Sequence, residues 1–306
     1  MTQTARKATA RDETPLFFES AGETLFGILT SPVAEPSGTG VVLLTGGDFI
    51  PSLNRNRLWV RLARSLAAAG HHALRFDYHG VGESTGLVEH FELPRPFTDD
   101  LESAAAVLRS AGAREIVLVG VCFGAVTALA SVERIEGLRG VAMLAHPVRD
   151  FELLEDLGTA QYLRHVIQEE GARGLLRRGK RLPTYASLVT NRVRGAAARA
   201  RAGADAQDPT SRQLLDGLGR AARRRVPLLI VYGTEEGEGV EFEQARPGRL
   251  GDILNEAGDL IEVRTLEGNV HDLVGLDLQD AVLELTASWI ERIAPVSAAQ
   301  TTSEVG

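Results

Sequence analysis

Cysteine is almost absent from this chain. One residue in 306, Cys122, carries a thiol, so no disulfide can form within the chain. Long apolar runs are absent too. None approaches the roughly 20 residues needed to span a bilayer, and the opening MTQTARKATARDETP has no apolar h-region of the kind found in a signal peptide. The expectation is a cytoplasmic protein without a membrane segment. An excess of positive charge is also lacking: the formal net charge is −8, which argues against a nucleic-acid partner for the chain as a whole. No metal-ligand spacing, nucleotide P-loop or dinucleotide fingerprint occurs. The stretch GVGESTG lacks the lysine of a phosphate-binding loop, so neither metal nor cofactor is expected. No internal repeat is visible.

What remains is a composition that can bury a core, 44% hydrophobic and 24% charged. Short β-branched and leucine-rich runs alternate with helical patterns. Strands are predicted at 25–30, 41–45, 72–76, 116–119, 141–145, 226–232 and 260–265. Helices are predicted at 58–69, 97–111 (with Thr98 and Asp99 as candidate caps), 125–132 and 281–293. This alternation predicts an α/β architecture, a mostly parallel sheet with helices on both faces. The interval 151–225 breaks the alternation. It holds fifteen Lys and Arg against eight Asp and Glu, a net of +7, which leaves −15 on the rest. It is expected to form an inserted helical cap on a core made of 15–150 and 226–295. The polar ends, 1–14 and 296–306, are expected to be disordered tails.

The only cysteine sits in Gly120-Val121-Cys122-Phe123-Gly124, between the apolar run IVLV and the helical AVTALASV. A G-x-C-x-G segment joining strand to helix has the pattern of a nucleophile elbow. The chain turns sharply there, and side chains at the flanking positions would collide with the turn and the next strand. Unpaired N–H groups at the following helix's N-terminus favour a thiolate. A bland alternative is a core cysteine packed as a small hydrophobe.

From this elbow outward the chain resembles the α/β-hydrolase superfamily over about 25–293, apart from the cap. LLTGG at 43–47 lies where that superfamily has its oxyanion loop, with Thr45 in place of the usual histidine. RFDYHGVGESTG at 75–86 looks like the strand and loop seen in many members. The combination with a cysteine elbow is similar to small bacterial hydrolases that include the exosortase-associated ones; dienelactone hydrolase is another cysteine member. The resemblance implies a triad in the order nucleophile, acid, histidine. His271, in the last loop before the C-terminal helix, takes the place of the base. The aspartate slot of a G-x-x-D setting falls on Glu236 in Gly233-Thr234-Glu235-Glu236, with Glu235 and Asp150 as alternative acids. The oxyanion hole is expected from the N–H of Phe123 and that of Gly47 or Asp48. His146, Asn54 and Arg55 are candidate substrate contacts.

The expected reaction is acyl transfer through a covalent thioester, to water or another acceptor. The substrate would be an activated ester, thioester or lactone rather than a plain lipid ester, because a thiolate is itself a good leaving group. The partner is then a small acyl molecule. An acyl-carrier protein docking at the basic cap, near LLRRGKR at 175–181, is a further candidate. The Ala- and Arg-rich composition is associated with high-GC bacteria and natural-product tailoring. Two rivals stay open at this point: a lyase of the same fold with His271 as base, and a non-catalytic binding module.

Overall fold

A computed structural model of the chain describes residues 11–33, 35–47, 50–88, 91–149 and 210–296. Eight strands form one sheet in the order β1-β2-β4-β3-β5-β6-β7-β8. They are β1 (Arg11–Ser20), β2 (Glu23–Pro32), β3 (Thr39–Leu44), β4 (His72–Phe76), β5 (Glu115–Val121), β6 (Leu138–Leu144), β7 (Leu228–Gly233) and β8 (Ile261–Leu266). The first two make an antiparallel hairpin, and β2 runs antiparallel to β4. Every later pairing is parallel. The predicted α/β architecture is therefore the observed one. Strands β3, β4 and β7 are buried along their whole length, as expected of parallel strands covered on both faces.

Seven helices are described: α1 (Leu58–Ala68), α2 (Thr98–Ser110), α3 (Phe123–Ala130), α4 (Arg212–Arg223), α5 (Gly237–Ala245), α6 (Arg249–Ala257) and α7 (Leu276–Ile293). On one face α1 and α7 close a core with Val41, Leu43, Val117, Val119, Leu229 and Val231, and both of the chain's tryptophans, Trp59 and Trp289, belong to it. Helices α2 and α3 pack on β3, β5 and β6 and on each other. Among the described residues no helix is long and apolar enough to cross a membrane.

Several expectations need correction. Residues 11–14, expected in a disordered tail, are the start of β1 and pair with β2 up to Pro32. Phe97, not Thr98 or Asp99, is the N-cap of α2, and no side chain caps that helix. The C-terminal helix begins at Leu276, five residues before the predicted start. Residues 237–257, predicted as no element, hold α5 and α6.

The chain divides into two compact units, Met1–Pro147 with Gln213–Gly306, and Val148–Arg212. Residues 213–225, placed in the expected cap, belong to the first of these units. They hold most of α4, whose Gly217 lies against Leu129 of α3 so closely that a Cβ there would stand 2.8 Å from Leu129 Cδ2. Within the second unit, Arg149 bridges Thr210 and the Ser211 N–H donates to the Val148 carbonyl at 2.8 Å. Most of the expected cap, with the basic segment at 175–181, residues 1–10 and 297–306 of the expected tails, and the candidates Asp48 and Asp150 lie outside the described residues.

Candidate active site

The carboxyl ends of β3, β5, β7 and β8 bring the predicted residues to one edge of the sheet. The order β4-β3-β5 makes the gap between β3 and β5 a topological switch point, where open α/β sheets form their crevice. Cys122 lies just past β5 and the Thr45–Gly47 loop just past β3. Cys122 is the N-cap of α3 with φ 50° and ψ −116°. A non-glycine residue in this region is strained by about 1–3 kcal/mol and persists only where its surroundings hold it. Those surroundings are visible. The Cys122 N–H donates to the Leu144 carbonyl at 2.9 Å, and the Ala125 and Val126 N–H groups return to the Cys122 carbonyl. A Cβ on Gly124 would stand 2.5 Å from the Thr45 carbonyl oxygen, and one on Gly120 would overlap the Gly124 carbonyl. Both glycines of the motif are therefore forced by close approach of backbone to backbone.

Phe123, with its N–H at the first position of α3, is buried. A Cβ built on Gly46 would lie 3.6 Å from Cys122 Cβ, and one on Gly47 3.8 Å from Phe123 Cβ and 3.5 Å from Phe91. The two oxyanion candidates Gly47 and Phe123 are thus neighbours. Around them stands an aromatic cluster that the sequence did not announce. The rings of Phe91, Phe97 and Tyr78 meet Phe123 edge-on at 4.9, 5.0 and 6.1 Å between centroids. Such geometry is worth about 0.5–1.5 kcal/mol per pair beyond burial. It walls the α3 N-terminus off from one side. Asp77 accepts the N–H groups of Ser52 (2.6 Å) and Glu83 (3.2 Å), so the loop after β4 is pinned to the segment that leads into α1.

His271 lies in the loop between β8 and α7. Its Nδ1 donates to Glu238 Oε1 at 2.8 Å, which leaves Nε2 for Cys122. The thiol acts on the ring most strongly, as hydrogen-bond partner and as charge, followed by Glu238. Together they outweigh desolvation, and His271 is pushed up to about 11. Burial raises Glu238, but the hydrogen bond and charge of His271 prevail and hold its carboxyl below the usual range.

The carboxylate at His271 is therefore not the one nominated by the loop spacing. Glu236 is buried and already occupied: Oε1 accepts the Gly233 N–H and Oε2 the His271 N–H, each at 2.8 Å. Glu235 is exposed, and its N–H donates to the Gly268 carbonyl. At the second residue of α5, Glu238 reaches the imidazole instead. Nothing in GTEEGEGVEFEQ marks where that helix starts, so the sequence carried no signal that could have separated Glu238 from its neighbours.

The candidate substrate contacts Asn54 and Arg55 lie among hydrogen bonds that tie loops together. Arg55 Nη1 donates to the Asp272 carbonyl at 2.6 Å, and Asn56 Nδ2 to the Val274 carbonyl at 3.2 Å. The fully buried Gln279 donates to the Leu273 carbonyl at 2.6 Å and accepts from Arg61 at 3.2 Å. These side chains brace the loop that carries His271. Asn54 Oδ1 accepts the Arg55 N–H. His146 follows β6 and is buried; its Nδ1 donates to the Pro147 carbonyl at 2.7 Å, and burial pushes it down to about 4, so the ring is neutral. Among the described residues no group of His, Cys, Asp and Glu is placed to hold a metal ion.

A family model described as the alpha/beta hydrolase family matches residues 41–276. Solved structures share the fold at low identity. An esterase from Pyrococcus furiosus is 12% identical with a TM-score of 0.63, covering 96% of each chain. A dienelactone hydrolase from Anabaena variabilis is 12% identical with a TM-score of 0.56, over 93% of this chain and 99% of that one. A proline iminopeptidase from Mycobacterium smegmatis is 15% identical with a TM-score of 0.56, over 92% and 99%. With the elbow between β5 and α3, the histidine after β8 and the match over most of its length, the chain belongs to the alpha/beta hydrolase family.

Proposed function

We propose that the chain is a cysteine-dependent acyl hydrolase or acyl transferase. Its substrate is an activated ester, thioester or lactone, and Cys122, His271 and Glu238 form its triad. The observation that carries this reading is the placement of His271 between a thiol at a strained elbow and a carboxylate on Nδ1. An imidazole that keeps its proton to about pH 11 suits a thiolate–imidazolium pair. Sγ attacks the acyl carbon, and the developing oxyanion takes the N–H groups of Phe123 and Gly47. The tetrahedral intermediate collapses, the leaving oxygen or sulfur accepts the Nε2 proton, and the acyl group stays on Sγ as a thioester. Water or an acceptor alcohol, amine or thiol then attacks that carbonyl while Nε2 takes its proton, and the thiolate is expelled. The lyase alternative needs a neutral His271 to start the reaction, and its raised basicity weighs against that.

Iodoacetamide alkylation across the pH range tests this reading. Wild-type Cys122 should react well below the free-cysteine pKa of roughly 8.5, and His271→Ala should restore ordinary behaviour. Cys122→Ala should fold normally and lose turnover of thioesters and activated esters. Near-normal turnover in that variant would end the nucleophile hypothesis.

A further inference from the structure

Glu236 is left without a part in the chemistry above, yet its position is costly. A buried carboxylate is unfavourable unless it is well paired. This one gathers the N–H groups of Gly233 and His271 at 2.8 Å each, with that of Val270 as a third donor. Burial pushes its carboxyl up, and the three amides pull the other way. The titratable groups facing it are Tyr232 from β7, Glu238 from α5 and His271 itself. Glu238 opposes its charge, so a second glutamate two residues away is not explained by electrostatics alone.

The surrounding loops fit closely. The Thr234 N–H donates to the Leu266 carbonyl and the Glu235 N–H to the Gly268 carbonyl, both at 3.0 Å, while the Gly268 N–H donates to Thr234 Oγ1 at 3.1 Å. A side chain on Gly233 would overlap the Gly268 carbonyl and stand 2.9 Å from Glu236 Oε2. The end of β7 is thus sewn to the loop after β8, and the Glu236 carboxylate is the innermost stitch. It grips the backbone of the same residue whose ring Glu238 holds. His271 is fixed at two points, its amide by one glutamate and its Nδ1 by another.

We propose, resting on the cysteine–histidine reading above, that Glu236 is a positioning residue. Its Oε2 holds the His271 N–H while Oε1 is anchored on the Gly233 N–H, and this seats the His271 backbone so that the ring spans from Glu238 to Cys122. The work that a single carboxylate could share between a ring and a backbone is divided here between two side chains. Glu236 touches neither substrate nor the reacting atoms and acts only through His271.

The test is the pH profile of Cys122 alkylation by iodoacetamide in wild type, Glu236→Gln, Glu236→Asp and His271→Ala, each checked by circular dichroism. Glutamine keeps one acceptor oxygen but sets an NH2 group against the other of the two backbone N–H groups, so the joint hold on Gly233 and His271 is broken. The rate near pH 6 should fall about tenfold, the equivalent of one pH unit in the thiol's midpoint, while the rate near pH 9, where any thiol is largely ionised, stays within about twofold. A side chain that merely stabilised the fold would leave this profile unmoved. Should the glutamine variant fail to fold, Glu236→Asp decides. It keeps the charge but is one methylene too short to reach both amides, and an intermediate shift is expected. Wild-type profiles in the folded variants overturn the positioning role and leave the pair standing. An ordinary midpoint in wild type and His271→Ala alike overturns the pair, and the role of Glu236 with it.

Discussion

Replacing Glu238 by glutamine isolates its charge from its hydrogen bond. Glutamine keeps an oxygen for the Nδ1–H, 2.8 Å from Glu238 Oε1 in the wild type, and removes the negative charge. The magnitude follows from how wet the pair is: 41% of the His271 side chain and 17% of the Glu238 side chain are exposed. Fully exposed pairs are worth about 0.2–1 kcal/mol, and breaking a buried one costs about 3–5 kcal/mol. A pair at this depth is worth about 1–2 kcal/mol, or about one pH unit in His271. The sign is set by Glu238 raising His271, so the variant's histidine falls from about 11 toward 6.5 and remains largely protonated at neutral pH. Cys122 then keeps its cationic neighbour. Glu238→Gln should therefore move the alkylation midpoint by less than about one unit, while Glu238→Ala, which also loses the acceptor that orients the ring, should raise it. An unchanged profile in both Glu238 variants, together with loss of the pair in Glu236→Gln, would refute the reasoning. It would return the acid's role to the residue that loop spacing nominates.

Three further outcomes are expected. His146 is pushed down to about 4 by burial, so the unfolded chain binds a proton below its ordinary value of 6.5 that the folded chain refuses. Stability should drop by about 3 kcal/mol as pH falls through that window, and urea unfolding of His146→Gln should show a shallower acid slope; identical slopes would discount the histidine. Gly124→Ala puts a Cβ 2.5 Å from the Thr45 carbonyl and should cost about 1–3 kcal/mol, seen as a lower denaturant midpoint, with loss of fast alkylation. Gln279→Leu strands the Leu273 carbonyl it now serves at 2.6 Å, at about 1–3 kcal/mol. Through the loosened His271 loop it should also raise the Cys122 midpoint; a purely thermal effect would mean that the brace does not reach the histidine.

The sheet is legible in the sequence because parallel strands buried on both faces must be apolar throughout, and VVLL, IVLV and LLIV say so. The first strand is not. RDETPLFFES is an edge, paired on one side only, and its charges and Pro15 are what a solvent-facing edge tolerates. The elbow is legible because sterics leave little choice: glycine where backbones touch, a small reactive side chain at the apex, apolar residues before and after. The carboxylate that meets the imidazole is not legible because the path of a glycine- and glutamate-rich loop decides which of three glutamates reaches it. The aromatic wall is hidden for a different reason. Its rings come from positions 78, 91, 97 and 123, which only the parallel crossovers bring together.

The coupling between Cys122 and His271 also bears on how one histidine would serve both halves of the proposed acyl-transfer cycle, as follows if Cys122 is the nucleophile. The thiol is the largest influence raising the imidazole, so in the proposed resting pair the ring is the proton donor and Sγ the nucleophile. Acylation converts the thiolate into a neutral thioester and removes that influence. The ring's affinity for its proton falls, it gives the proton to the departing group, and it is left neutral. Glu238 still accepts from Nδ1–H, which fixes the tautomer, so the lone pair of the neutral ring is on Nε2, facing the thioester. The base for deacylation is thereby produced by the acylation step itself. Returning the thiolate restores the imidazolium and resets the site. This cycle depends on the ring keeping one seat while its charge changes. A side chain held only by its charge partners would shift when one of them disappeared. A hold on the His271 backbone, such as the 2.8 Å contact to Glu236, is indifferent to whether Sγ is charged, and it keeps Nε2 over the acyl carbon in both states.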